Sequence, residues 1–225
     1  AEPGNAYSQI YHHDLETLAT ARLTTTPQGS PGGGASDQPL LAGDWAIYRT
    51  AAPDLAPAGP GLYRQHLRDG QRQAVGFDEG GRPDPLASHP AADDAGAAIA
   101  YQRPDVEAHH QIYLNELGLV EQLSLNQDSS LGLLEHCCAA LSPDGRYLAY
   151  REQGVHGAML WLHILDRDIG DFARQLWPRD SALREQAPRF SDDGAELWWL
   201  APEQGPELPE VWERRANPLW EVEAE

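Results

Sequence analysis

The 225-residue sequence contains no lysine, and its 16 basic side chains are all arginine. The 35 acidic side chains leave a formal net charge of −19. Proteins that bind nucleic acids neutralise phosphates with basic side chains, and anionic lipid surfaces also attract basic segments. We therefore expect no nucleic-acid partner and no binding to anionic membranes. The acidic surface is expected to keep the protein soluble.

Long apolar segments are also missing. The sequence has no apolar run of about 18 residues, the length that a membrane-spanning helix needs, and we predict no membrane insertion. A signal peptide is absent too. However, the opening residues AEPGNA are typical of a mature N-terminus that remains after cleavage behind a small residue.

Cysteine is scarce, and the two cysteines, Cys137 and Cys138, are adjacent. Successive side chains of a strand point to opposite faces, and a bond between neighbours strains the peptide that joins them. We therefore expect two unbonded thiols with an incidental structural role. Their spacing fits neither a C-x-x-C redox motif nor a haem attachment sequence.

The sequence does contain an internal repeat with a period of roughly 50 residues, which is typical of propellers and solenoids. In each copy a glycine is followed five residues later by Tyr or Trp at the end of an apolar run. The pairs are Gly43 and Tyr48, Gly96 and Tyr101, Gly145 and Tyr150, and Gly194 and Trp199. A second aromatic column follows, with Tyr11, Tyr63, Tyr113, Trp161 and Trp212.

The content of each copy separates a propeller from a solenoid. Each copy has three or four short strand-like runs between turn residues and no helical pattern, which predicts a four-stranded blade. In one copy the expected strands are 139–142, 146–151, 159–165 and 172–176. In the next they are 188–191, 196–200, 210–214 and 219–222. The low-complexity segment Gly29 to Pro39 is expected to be a flexible loop.

We therefore predict an all-β protein, a β-propeller of four-stranded antiparallel blades that occupies residues 1–225 as one domain. It would contain four full blades plus an N-terminal half blade, about five positions in all. The expected units are 8–28 (the half blade), 37–76, 88–126, 137–177 and 186–224.

Specific stretches resemble a known repeat. LSPDGRYLAY (141–150), followed by MLWLHILD (159–166), resembles the TolB-type β-propeller repeat. IYHHDLETLATARLT (10–24) is similar to the outer two strands of that unit, and APRFSDDGAELWWL (187–200) to the inner two. The resemblance extends from about Ser8 to about Glu223. Together with the opening residues, it implies an exported protein, periplasmic or extracellular.

The copies are unequal, because five outer halves accompany only four inner halves. One position of the ring could be half filled, or another chain could supply the missing strands by pairing with an open edge. Alternatively, the last copy completes the first. The sequence leaves these three arrangements open.

Candidate sites for chemistry are weak. The nine histidines include the pairs His12-His13 and His109-His110, and His136 precedes the cysteines, but no metal-ligand spacing accompanies them. We predict structural or exposed histidines, no metal site and no cofactor. Calcium at Asp166 and Asp168 is the one ion left open. No nucleophile elbow, dinucleotide-binding or P-loop motif occurs, and we identify no catalytic residue.

Inner strands of a propeller line its central channel. By alignment, His89, Cys138, Ala140 and Arg189 lie near that lining, and His89, Cys138 and Arg189 are our candidate ligand contacts. An ordinary water-filled channel is the alternative interpretation.

The repeat and the lack of a catalytic set favour a non-enzymatic, protein-binding scaffold subunit of a larger assembly. Its partner is expected to be a protein, one that could complete the half blade. The main alternative is a propeller enzyme or metal-dependent lyase with His and Asp ligands on channel loops. A third is a regulatory propeller domain of a hydrolase.

Overall fold

The computed structural model describes residues 6–105, 107–124, 134–154, 160–176, 187–202 and 210–220. Within these ranges the secondary structure consists of β-strands and contains no helix, as predicted. The chain forms two compact units, Ala1–Pro90 and Ala91–Glu225, which are described in turn.

The first unit contains a two-stranded and a four-stranded sheet, both antiparallel, in which consecutive strands pair. The strands of the small sheet are β1 Tyr11–His13 and β2 Thr20–Arg22, and those of the larger sheet are β3 Ser36–Ala42, β4 Trp45–Thr50, β5 Gly61–His66 and β6 Arg72–Ala74. The small sheet, called the half blade below, lies within the range 8–28 that was expected for it, and the larger sheet extends from Ser36 to Ala74, where a unit was expected at 37–76. The division into these units stays a prediction.

The second unit contains two four-stranded sheets and one three-stranded sheet. The first has the strands β7 Ser88–Ala92, which begins at the end of the first unit, β8 Ala98–Pro104, β9 His110–Glu116 and β10 Leu119–Gln122. The second has β11 Leu134–Leu141, β12 Tyr147–Gly154, β13 Leu160–Asp166 and β14 Phe172–Leu176, and the third has β15 Arg189–Phe190, β16 Glu196–Pro202 and β17 Glu210–Ala216. Consecutive strands again pair.

The turn between the first two strands follows the same pattern in three sheets. The N–H of Gly145 donates to the carbonyl of Ser142 at 2.8 Å, and the N–H of Gly194 donates to Ser191 at 2.9 Å. Gly96 and Asp93 repeat the bond at 3.1 Å. All three glycines have φ between 66° and 76°, a left-handed conformation that favours glycine. The turn therefore survives although its Ser-Pro-Asp-Gly sequence is intact only once.

The prediction of a loop from Gly29 to Pro39 is partly wrong, because β3 begins at Ser36. The Ser36 hydroxyl bonds to that of Thr50 at 2.9 Å, and the register of β3 against β4 shifts between Asp37 and Leu40. That shift accommodates Pro39, which has no N–H to donate. Glycine is required at position 34 because the backbone packs closely there, and a Cβ atom would lie 2.6 Å from the backbone oxygen of Ala51.

Two predicted strand limits also differ from the structure. The first strand of the third full sheet begins at Leu134, earlier than the expected Ala139. The strand expected at 219–222 is not formed at residues 219 and 220, and residues 221 and 222 lie outside the described ranges. Asn217 explains the difference, because its side chain donates to the carbonyl of Gly194 and accepts the N–H of Leu219, both at 3.0 Å. Those bonds form a turn.

The recurring aromatic residues lie at equivalent places and form much of the core. Tyr48, Tyr101, Tyr150 and Trp199 each lie in the second strand of a sheet, and all four are buried. Tyr48 packs with Ile10 and Leu23 of the half blade, whereas Tyr150 and Trp199 belong to two separate apolar clusters of the second unit. A flat ring at the same place in each sheet fills the space between packed sheets.

The second aromatic column is in register in only two sheets. Tyr63 lies opposite Tyr48, and Tyr113 lies opposite Tyr101. Opposite Tyr150, however, stands His163, and Trp161 lies opposite Glu152. Because His163 follows Trp161 by two residues, it shares the same face of β13, and an imidazole replaces the expected ring.

Candidate functional site

Left-handed backbone marks the first strands of three sheets. Gln38 has a φ of 54°, His89 of 51° and Cys138 of 62°. Residues other than glycine rarely adopt positive φ. At Gln38 and at Cys138 this conformation coincides with a register shift, which is the geometry of a β-bulge. Two predicted contact residues, His89 and Cys138, therefore share an unusual local conformation.

Gln38 was missed in the sequence, although a signal was present. It precedes His89 by 51 residues, which is one repeat, and its side-chain oxygen accepts the N–H of His89 at 2.7 Å. The His89 side chain is exposed, and its Nδ1 lies 3.1 Å from the Ser88 hydroxyl. The two positive-φ residues of the first unit's first strands are thus connected by a hydrogen bond from the backbone of His89 to the side chain of Gln38.

Cys138 departs from the prediction, because it forms a disulfide with Cys137. The expectation of unbonded thiols rested on the alternation of side chains along a strand. The bulge interrupts that alternation, since the register shifts between Cys137 and Ala140. Neighbouring side chains can then turn to the same side. Cys138 is buried, and Cys137 is half-buried.

Arg189, the third predicted contact, lies in β15 opposite Trp198 and is exposed. Within the second unit, β15 is a neighbour of β11, so Arg189 and Cys138 occupy adjacent first strands. Ala140, also predicted near the lining, is buried in β11. That these residues line a channel stays a prediction.

A buried ionisable cluster in the sheet β11–β14 was not identified from the sequence. Glu152 Oε2 lies 2.9 Å from His163 Nε2 and 3.5 Å from His136 Nε2, and all three residues are almost inaccessible to solvent. The ring of His163 stacks on Tyr150 with centroids 4.9 Å apart. A buried carboxylate needs polar partners to compensate its charge, and the two imidazoles flank it on either side.

Both histidines of this cluster are buried. Among the residues that the structure describes, no group of three or more His, Cys, Asp or Glu side chains is arranged to hold a metal ion.

Asp166, one of the two residues considered for calcium, is engaged by an arginine. Its Oδ2 accepts Arg146 Nε at 3.0 Å and Nη2 at 2.7 Å, and its Oδ1 accepts the N–H of Asp168 at 3.0 Å. Burial raises the pKa of Asp166, but these hydrogen bonds outweigh burial and hold the pKa below its ordinary value of 3.8. Calcium binding stays a prediction.

The Asp166→Asn variant is expected to lose about 1–3 kcal/mol of unfolding free energy at neutral pH, because Arg146 loses a charged acceptor. Since the folded-state pKa is lowered, the stability from the ionised carboxylate is present above its ordinary pKa and is lost as pH falls through the folded-state pKa. Urea unfolding at pH 7 and in steps down to about pH 3 should show the difference from wild type shrinking below about pH 4.

Asp168→Asn is the matched control, because its largely exposed carboxylate lies 3.9 Å from Arg146 Nε. It should change stability by less than about 1 kcal/mol. A constant difference between Asp166→Asn and wild type at all pH values would contradict the assignment.

Exposed apolar side chains concentrate on the hairpins between the third and fourth strands. These hairpins hold eight of the eleven large exposed hydrophobic residues among the described residues. They are Tyr11, Leu15 and Leu18 on β1–β2, Leu117, Leu119 and Val120 on β9–β10, and Ile169 and Phe172 on β13–β14. Apolar groups in such clusters are typical of surfaces that bind other molecules.

Solved structures share this arrangement of sheets. TolB from Acinetobacter baumannii matches with a TM-score of 0.61 and 18% identity, over 92% of this chain and 46% of that one. A protein assigned as TolB from Agrobacterium tumefaciens matches with a TM-score of 0.62 and 17% identity, over 95% of this chain and 67% of that one. The chain has a TolB-like β-propeller fold. The predicted all-β propeller fold and the resemblance to TolB-type repeats are thereby confirmed, whereas the predicted number of blades stays a prediction.

The TolB-like fold is shared more widely. An oligogalacturonate lyase in complex with manganese matches with a TM-score of 0.62 and 13% identity, over 89% of this chain and 54% of that one. No model of a protein family and no curated protein matches the sequence. At these identities the likeness concerns the fold. The TolB-like chain spans 46% to 67% of the two TolB structures.

No helix in the described part of this TolB-like chain is long and apolar enough to cross a membrane.

Proposed function

We propose that this TolB-like propeller is an exported, non-enzymatic scaffold subunit that binds a protein partner through its half blade. The observation that carries the proposal is the open edge of β1, which pairs only with β2 among the described residues. Unpaired strand edges are templates for pairing with another chain. Export, to the periplasm or beyond the cell, rests on the resemblance to TolB.

The hydrogen bonds of the β1–β2 hairpin establish which backbone groups face outward. Asp14 N–H donates to Ala19 at 2.9 Å, and Leu23 N–H donates to Ile10 at 2.9 Å. Hydrogen-bonded and non-hydrogen-bonded pairs alternate along an antiparallel ladder. Tyr11 and His13 are therefore non-hydrogen-bonded positions, and their N–H and C=O groups point away from β2. A partner strand could bind these groups.

The tip of the same hairpin carries leucines that contribute little to the fold. Leu15 is 82% exposed and Leu18 is 72% exposed. Leu18 also has a φ of 56°, whereas Gly70 and Gly170 hold the equivalent place in two other hairpins. A left-handed conformation costs a residue with a Cβ atom about 1–2 kcal/mol. These leucines are better explained by contact with a partner than by folding.

Native mass spectrometry of the assembly purified from its source cells tests the proposal. We expect the chain in a stoichiometric complex with another protein. The double variant Leu15→Ser/Leu18→Gly should dissociate from that complex, while its Tm stays equal to or above that of wild type because the strained residue is relieved.

Leu86→Ser, at another leucine of the first unit that is exposed, is the matched control and should leave the complex intact. A chain that is monomeric and partner-free in its source cells would contradict the proposed function. Dissociation of the double variant with a clear fall in Tm would instead assign these leucines to folding.

A further inference from the structure

The β9–β10 hairpin of the second unit combines an apolar surface with an open strand edge. Leu117 is 80% exposed, Leu119 is 81% exposed and the neighbouring Val120 is exposed as well. Natural sheets protect their outer strands with charged residues, proline or bulges, because apolar edges associate with other chains. Three exposed apolar residues within the four positions 117–120 are therefore unusual for a surface that stays in water.

The conformation of Leu117 makes its presence harder to explain by folding. Leu117 and Gly118 form the two-residue turn of the hairpin, with φ values of 52° and 91°. Turns of this kind favour Asn or Gly at the first position, because leucine disfavours positive φ. The leucine is thus disfavoured both by its backbone and by its exposure. A contact with another molecule would offset these costs.

The register shows which backbone groups of β10 face outward. Leu119 lies opposite Glu116 across the two-residue turn, which makes them a hydrogen-bonded pair, and Val120 opposite Asn115 is the next, non-hydrogen-bonded pair. The N–H and C=O groups of Val120 and Gln122 therefore point away from β9. Among the described residues, β10 is the outer strand of its sheet and pairs with β9 alone.

The charge around the edge indicates what could bind there. Glu116 and Glu121 flank the apolar residues, and no basic residue occurs from 116 to 122. Arg167 donates to Glu116 at 2.7 Å, which leaves Glu121 as the carboxylate at the strand. A second copy of the chain would bring another net charge of −19, and anionic lipids would also be repelled. A basic partner fits better.

We propose that β10 binds an extended segment of a partner protein as an added strand, with an apolar and a basic residue two positions apart on one face of that segment, because Leu119 and Glu121 share a face of β10. The outward groups of Val120 and Gln122 would supply main-chain hydrogen bonds. Leu119 would contact the apolar side chains, and Glu121 would pair with a basic one. This inference does not rest on the half blade, and its failure would leave the proposed function untouched.

The test uses the synthetic heptapeptide Thr-Val-Thr-Arg-Thr-Val-Thr, which places valine and arginine two positions apart on one face of an extended strand. It is titrated into the purified chain in 150 mM salt, roughly the physiological ionic strength. A second peptide of identical sequence carries N-methyl groups on alternate residues, on the edge that would pair with β10, so it keeps the charge but lacks main-chain donors there. Amide hydrogen exchange locates the binding site. We expect the first peptide to bind, with protection at Val120 and Gln122, and the methylated peptide to bind about tenfold more weakly or not at all.

The decisive variant is Val120→Pro, because proline removes an outward N–H while leaving the β9–β10 bonds in place. It should weaken binding of the first peptide by about tenfold with unchanged Tm. Leu119→Thr should also weaken binding, which keeps the test decisive if the proline variant unfolds. Leu86→Ser, at an exposed leucine outside both proposed binding surfaces, is the control and should bind the peptide as wild type does.

Three results would overturn the inference. Equal binding of the two peptides would assign binding to charge alone. Self-association of the chain in analytical ultracentrifugation, abolished by Val120→Pro, would assign the edge to a second copy. Binding to phosphatidylcholine vesicles, lost in Leu119→Thr, would assign it to a lipid surface.

Discussion

Replacement of Tyr48 by alanine is expected to lower the free energy of unfolding by about 3–5 kcal/mol, the range for deletion of a buried aromatic ring. Tyr48 is fully buried, and its ring packs with Ile10 and Leu23 of the half blade. The variant would therefore lose packing both within β3–β6 and against β1–β2. Chemical unfolding followed by intrinsic fluorescence and by circular dichroism measures the loss.

Tyr48→Phe separates the ring from its hydroxyl. The hydroxyl donates to Gln65 Oε1 at 2.7 Å and accepts Arg72 Nε at 3.1 Å. Burial raises the pKa of Tyr48, so the group stays neutral and acts as a donor. Arg72 keeps its bond to Gln65 in the variant, and the expected loss is only about 1 kcal/mol.

Equal losses in Tyr48→Ala and Tyr48→Phe would show that the hydrogen bonds, and not the ring, stabilise this part of the first unit. Arg72 would account for such a result. Its Nη2 also donates to the carbonyl of Thr25 at 2.7 Å, so the hydrogen bonds of Tyr48 are connected through Arg72 to the segment next to the half blade.

Replacement of Glu152 by alanine is the second large effect, with an expected loss of about 3–5 kcal/mol. Its carboxylate lies between the imidazoles of His136 and His163, and none of the three is open to solvent. Removing one member of a buried ionic group leaves the charge of its partners uncompensated. The intact group, by contrast, contributes little to the free energy of unfolding. Urea unfolding at neutral pH measures this loss.

Glu152→Gln keeps the shape but removes the charge, and should lose about 1–3 kcal/mol. Glu135→Gln is the matched control on β11, where a half-exposed carboxylate lies 3.0 Å from His110 Nδ1. The control should lose less than about 1 kcal/mol. If Glu152→Ala were as stable as Glu135→Gln, the cluster would not hold a buried ion.

Local sequence patterns predicted the sheets well where the hydrophobic effect alone selects them. In every copy a glycine turn is followed by a strand that ends in an aromatic ring. That ring is buried, as at Tyr48 and Tyr101. Even the weakened turn at Asp93 to Gly96 forms, because the glycine supplies the positive φ that the turn needs.

Prediction failed where distant residues decide a local conformation. The segment before β4 is rich in glycine, yet Ser36 and Asp37 belong to a strand because Thr50 and Arg49 bind them. The disulfide between Cys137 and Cys138 accompanies a bulge whose position depends on pairing with β12. Both partner strands were predicted, but the hydrogen bonds and the register shift that they impose on β3 and β11 cannot be read from the residues of those segments themselves.

The two groups of candidate site residues show the same difference between what the repeat predicts and what only the register decides. Gln38, His89 and Cys138 share a place in the repeat, and the period alone could have identified the set. The cluster of Glu152 with two histidines joins three different strands, and only their register brings the charged groups together.

By itself, the sequence determined that this protein is an all-β chain of repeated sheets with an acidic, lysine-free surface, because turn glycines, apolar alternation and net charge are local or summed properties. Only the tertiary structure decided which strand edges stay open, which leucines reach solvent and which ionisable groups are buried together. Those properties depend on register and burial, which are established between residues far apart along the chain.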